Sequence, residues 1–163
     1  MCSRTPLHVS LVLRHGRRLA RWTPAAKRPD VFTGAQVRAY MLPYFSGLHI
    51  EKCWVIPIDH HGRAVYPAPV EVSVGTRDEV IVCAASVLTV ALLSGTATFI
   101  IVHNHPSGDP EPSIGDSTST RRMVKAVKAI EGILLWDDVI VAEEGYYSFR
   151  ASTRIIPRLR PRS

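Results

Sequence analysis

Phe99-Ile100-Ile101-Val102 is apolar on both faces of an extended chain, the pattern of a strand buried in the middle of a sheet. Lys52–Ile58 (KCWVIPI) reads as a second apolar strand, closing on Asp59-His60-His61-Gly62, a turn composition. Residues 64–66 (AVY) are predicted as a strand across that turn, and Val70–Val74 (VEVSV) as a further one broken by Gly75. A short extended piece follows Asp78. Ala84–Leu93 carries apolar residues almost all the way round a helix, so it is expected to be buried, with Gly95 as its stop. An earlier helix is predicted from residue 33 or 34 to residue 42, ended by Pro43. A later one should start near Asp116 and run to about residue 130. Residues 134–135, 139–141 and 146–149 supply the last strands. Two helices interleaved with five or six strands predict a single α/β domain, a mixed β-sheet packed against helices.

The flanks read differently. Residues 1–30 form a basic N-terminal extension, with residues 7–13 (LHVSLVL) as a short strand candidate; residues 31–150 form the domain; residues 151–163 form a basic C-terminal tail. Residues 1–28 hold seven basic side chains and no acid, and residues 150–163 hold five and no acid. These twelve are more than half of the 20 basic residues, so the net charge of +6 conceals a middle of balance −6. Such ends suit a nucleic acid or another polyanion, held through its phosphates in a salt-dependent way, or else serve solubility. The chain has no apolar run of the roughly 18–20 residues that a membrane helix needs, and no secretory pattern is expected at its start. Three cysteines without CxxC spacing argue against a disulfide framework and a cysteine-ligated zinc, and a reducing, cytoplasmic setting is the expectation. Cys53 and Cys83 are expected as buried free thiols. His60 and His61 are expected to be solvated in their turn, and Trp54 to be core.

The chemistry gathers at the end of the central strand, in His103-Asn104-His105. Strand residues two apart share a face, about 7 Å apart at Cα, so two imidazoles can converge on one metal ion. An HxH pair alone is weak. The loop after it, residues 106–113 (PSGDPEPS), is stiffened by prolines and free to turn at Gly108, and it leads to Asp116 at a helix start. A carboxylate there is either an N-cap or an oxygen ligand. Two nitrogens, one oxygen and an open fourth position would make a catalytic rather than a structural zinc site.

His103-x-His105-x7-Ser113-x2-Asp116 resembles the JAMM (MPN-plus) metalloprotease motif. The words around it are similar to the RadC family: HNHPSG from His103, Pro112-Ser113, Asp116, the upstream EVSVGT from Glu71, and the closing DDVIVAEEGYYSF from Asp137. The resemblance covers roughly residues 31–150 and implies a cytidine-deaminase-like JAB/MPN domain. It implies one Zn2+ per chain on His103, His105 and Asp116. Glu71 would be the general base, and Ser113 the hydroxyl that stabilises an oxyanion. The implied activity is that of a zinc hydrolase, a metallopeptidase or isopeptidase using a metal-activated water on a peptide or isopeptide substrate. The alternatives are a DNA-repair-associated, nucleic-acid-binding module and a non-catalytic MPN scaffold.

Two words depart from the family. Its His-Pro-Arg-Glu at the first core helix is Cys83-Ala84-Ala85-Ser86 here, and its Asp-His pair near the last strands is Asp137-Asp138. The family usually carries a helical N-terminal region similar to a helix-hairpin-helix module, whereas a basic stretch of about 30 residues precedes the domain in this sequence. Arginines there would attract nucleic acid without reading its sequence.

Overall fold

The computed structural model describes residues 28–74 and 83–157. In chain order the elements are α1 (Gly34–Phe45), β1 (Lys52–Ile58), β2 (Val70–Val74), α2 (Ala84–Leu93), β3 (Thr98–Asn104), α3 (Ile114–Lys128), β4 (Leu134–Val141), β5 (Tyr146–Ser148) and α4 (Phe149–Ser152). The strands form one sheet in the order β2-β1-β3-β4-β5. β3 and β4 pair in parallel and the other neighbours antiparallel, so the sheet is mixed as expected. A parallel pair needs a crossover, and α3 supplies it.

Helices cover both faces. α2 and α3 lie over the face that carries Cys53, Val55, Val72, Ile101 and Ile140. On the other face α1 buries Val37, Met41 and Phe45 in one cluster with Trp54, Ile56, Ile100 and Val102. β3 is therefore apolar on both sides because both sides are covered. Alternation sends Phe99, Ile101 and His103 toward α2 and α3, and Val102 and Asn104 toward α1.

Several expectations are corrected. α1 runs through Pro43 to Phe45. Val37, Met41 and Phe45 recur every fourth residue and are all buried, and that face outweighs the one hydrogen bond an exposed proline removes. Residues 64–66 make only an isolated bridge, Ile58 with Ala64. Pro67 and Pro69 remove the donors a longer ladder would use, and Asp59 Oδ1 closes the turn by accepting from the N–H groups of His61 and Arg63. α2 buries one face only: Val87, Val90 and Ala91 are covered, while Leu92 and Leu93 are each 56% exposed. Two predicted strand pieces are one strand, β4, which passes Asp137 and Asp138 with an irregular register opposite Phe99 and Ile100. The short α4 has no counterpart in the sequence reading. It is opened by Ser148, whose hydroxyl accepts from the N–H of Ala151. Residues 7–13, the extended piece after Asp78, and residues 1–27 and 158–163 of the basic ends lie outside the described residues. Among the described residues no helix is long and apolar enough to cross a membrane.

Candidate metal centre

β3 ends where the site begins. His103 is its last core-facing side chain on the α2/α3 side, and the N–H of His105 still bonds to Val141 O at 3.0 Å, so the HxH segment stays extended. The chain then reverses within four residues. Gly108 has φ +91°, a region that favours glycine, and its carbonyl accepts from the N–H of Glu144 at 3.0 Å, which pins the loop to the β4–β5 turn. Residues 106–113 bring the chain back over the strand end to α3.

α3 starts at Ile114, just ahead of Asp116, because Ser113 is its N-cap. Ser113 Oγ accepts from the N–H of Asp116 at 3.1 Å, while the N–H and hydroxyl of Ser113 donate to Asp116 Oδ2 at 2.7 and 2.6 Å. This is a capping box with aspartate at its third position. It satisfies one oxygen of Asp116 and turns the other, Oδ1, toward His103.

His103 Nε2 lies 3.3 Å from Asp116 Oδ1, and His105 Nε2 lies 3.4 Å from Asp116 Oδ2. Zinc bonds of about 2.0–2.1 Å at tetrahedral angles hold neighbouring donor atoms roughly 3.3–3.4 Å apart, so these separations fit one ion. The Nδ1 of His105 sits 2.9 Å from the carbonyl of Asp109; as a donor there it leaves Nε2 a bare lone pair facing the aspartate. His103 Nε2 is buried with no hydrogen-bond partner, a cost unless a ligand takes its lone pair. The donor set fits zinc.

A fourth group stands with them. Glu51, His103, His105 and Asp116 each offer one ligand atom, and these atoms all lie within 4.8 Å of one another. Cys53 pairs in register with His103, and alternation puts Glu51, two residues earlier, on the same face. Asn104 fixes that stretch. Its side-chain oxygen accepts from the N–H of Lys52 at 2.8 Å, and its amide donates to Ile50 O at 3.1 Å, so the backbone is gripped on either side of Glu51.

Glu71 is not brought to this cluster. Val70 and Val72 fill the core under α2, so the residue between them faces the other side of the sheet. Its carboxylate, 40% exposed, pairs with Lys52 Nζ at 3.0 Å. The sequence reading missed Glu51, whose only signal was an acid just before an apolar strand. No register was available to put it opposite the histidines.

Electrostatics reflect the crowding. Burial pulls the His103 imidazole down, but the carboxylates of Asp116, Asp138 and Glu51 outweigh it, so its pKa is raised. Burial pushes Asp116 up, yet the two imidazoles and the Ser113 hydroxyl hold it well below the usual carboxylate range. Burial pushes Asp138 up to about 6 against the pull of His103 and Thr120. The Cys53 thiol is raised well above its ordinary value, first by burial and then by Asp138 and Glu51, so it stays a neutral core group. Cys83 is half-buried, Trp54 is core, and His60 and His61 are exposed in their turn.

Residues 32–154 match the family described as the RadC-like JAB domain. The chain belongs to the RadC-like JAB family. A UPF0758 protein of Symbiobacterium thermophilum is 36% identical over 125 residues, 76% of this chain and 52% of that protein. One from Methanosarcina acetivorans is 32% identical over 142 residues, 87% of this chain and 60% of its own length. One from Thermotoga maritima is 42% identical over 78 residues, 48% of this chain and 35% of its own. This RadC-like chain thus spans only about a third to three-fifths of the relatives it matches.

Proposed function

We propose that this RadC-like JAB protein is a zinc-dependent hydrolase of JAMM type that cleaves a peptide or isopeptide bond. The observation that carries the reading is the convergence of His103 Nε2, His105 Nε2 and the Asp116 carboxylate, with the Glu51 carboxylate beside them. His103, His105 and Asp116 would hold the ion, and the fourth position would be left to water and substrate. Zinc so held acidifies a water toward neutral pH and polarises a carbonyl. Glu51 is the general base: it takes the water's proton and delivers it to the leaving nitrogen. The base thereby passes from Glu71 to Glu51. Ser113 holds the carboxylate of Asp116. Its one hydroxyl hydrogen is committed to Oδ2 here, so polarising a substrate oxygen would require it to rotate.

Elemental analysis of the purified chain, beside His103→Ala and Asp116→Ala, tests the reading. About one zinc per wild-type chain, lost in both variants, is expected, followed by cleavage of peptide or isopeptide substrates in a panel. A wild type that stays empty and thermally unchanged in excess zinc overturns it.

A further inference from the structure

Asp138 is a buried carboxylate that the proposed hydrolysis does not use. It lies inside β4 and is 5% exposed. An ionised carboxylate is tolerated there only if hydrogen bonds or an opposing charge match it. One oxygen is matched: Thr120 Oγ1, itself buried, lies 2.7 Å from Oδ2. The same hydroxyl is 2.8 Å from the Asp116 carbonyl, and its single hydrogen goes to the stronger acceptor, the carboxylate.

The other oxygen has no hydrogen-bond partner. It faces His103 Nδ1 at 3.8 Å, too long for a hydrogen bond as it stands. Across the same ring, His103 Nε2 is likewise buried without a partner and looks toward Asp116. Two unsatisfied buried atoms therefore meet at one imidazole, its own Nε2 and the Asp138 oxygen facing its Nδ1. A single arrangement serves both: the proton sits on Nδ1 facing Asp138, and the lone pair sits on Nε2 facing the metal position.

We infer that Asp138 is the positioning residue for His103, fixing its tautomer and ring orientation and strengthening Nε2 as a donor. The inference rests on the metal reading above. His105 receives the same service from a neutral backbone carbonyl, so the two imidazoles differ in kind, and His103 is the more basic ligand. Thr120 extends the chain of contacts. It sits one turn beyond Asp116 on α3, so the helix that supplies the carboxylate ligand also steadies the group that aims the histidine.

The test uses the full chain, zinc alone as the probe, and Asp138→Asn as the variant nearest in shape. Zinc affinity is measured by competition with a chromogenic chelator. The protonation of the His103 nitrogens is read from long-range proton–nitrogen NMR spectra of the zinc-loaded protein. Wild type is expected to show a protonated, downfield-shifted Nδ1 and an unprotonated, zinc-bound Nε2. Asp138→Asn is expected to weaken zinc binding by about 10- to 100-fold and to move the Nδ1 signal upfield, with metal-free thermal stability retained. Thr120→Val, which removes the hydroxyl but not the carboxylate, should weaken binding in the same direction by less, and it carries the test if Asp138→Asn does not fold. Equal zinc affinity and an unmoved His103 spectrum in the folded variant overturn the role of Asp138 and leave the metal centre standing. A wild type that binds no zinc overturns both.

Discussion

Glu51 and Glu71 set one functional group in two physical situations. Glu71 is exposed at the sheet edge against Lys52, where an ion pair contributes little. Glu51 is buried beside two imidazoles and a carboxylate, where proton transfer is worth most. Glu51→Gln is expected to keep one zinc per chain and to lower turnover by at least about 100-fold, while Glu71→Gln leaves both unchanged; metal analysis beside a substrate assay reads the difference. The raised His103 pKa has its own consequence. A group raised in the fold stabilises fully below its unfolded value of 6.5 and loses that contribution as pH climbs through the folded value. Asp116, lowered, stabilises above its unfolded value of 3.8 and loses the contribution only in acid. The metal-free protein should therefore lose thermal stability as pH rises above the unfolded value of 6.5 and through the raised folded value. Zinc competes with protons for the imidazoles, so its stabilising increment should grow over the same interval. Thermal melts with zinc and with chelator check the sign.

Two capping boxes show how one element motif serves different ends. Thr33 opens α1 by accepting from the N–H of Gln36, while the Gln36 side chain accepts from the N–H of Thr33, far from the histidines. Ser113 opens α3 the same way, but its partner is Asp116. Thr33→Ala should cost about 1 kcal/mol of stability and leave zinc affinity unchanged. Ser113→Ala should cost a similar amount and also weaken zinc binding, because Asp116 Oδ2 loses a donor; chemical unfolding and chelator competition together separate the two. Asn104 is a third device at this scale, a side chain that holds the strand entry of β1 where ladder bonds stop.

At the scale of the whole molecule, Asp137 ties the far edge of the sheet together. It accepts from the Ser148 hydroxyl at 2.6 Å and from the N–H groups of Arg150 and Asp138 at 2.9 and 2.8 Å, joining β4 to β5 and α4. Asp137→Ala strands those donors and should cost about 2–3 kcal/mol in denaturant unfolding with no change in zinc affinity. Adjacent aspartates thus serve opposite ends, one the sheet edge and one His103, and the sequence showed only a polar pair interrupting an apolar run. Elsewhere the sequence was direct. The central strand, Lys52–Ile58 and Ala84–Leu93 were legible because local apolar pattern and turn residues decide them. The nearness of His103 and His105 followed from the two-residue period of a strand, and that of Asp116 from the motif. The partner of that trio was not legible. Which glutamate faces the histidines depends on strand register and on which sheet face each side chain takes, and both are fixed only when β1, β2 and β3 pair and helices cover the two faces. The local pattern thus determined the strands, the helices and the donors; only the tertiary pairing decided which carboxylate those donors meet.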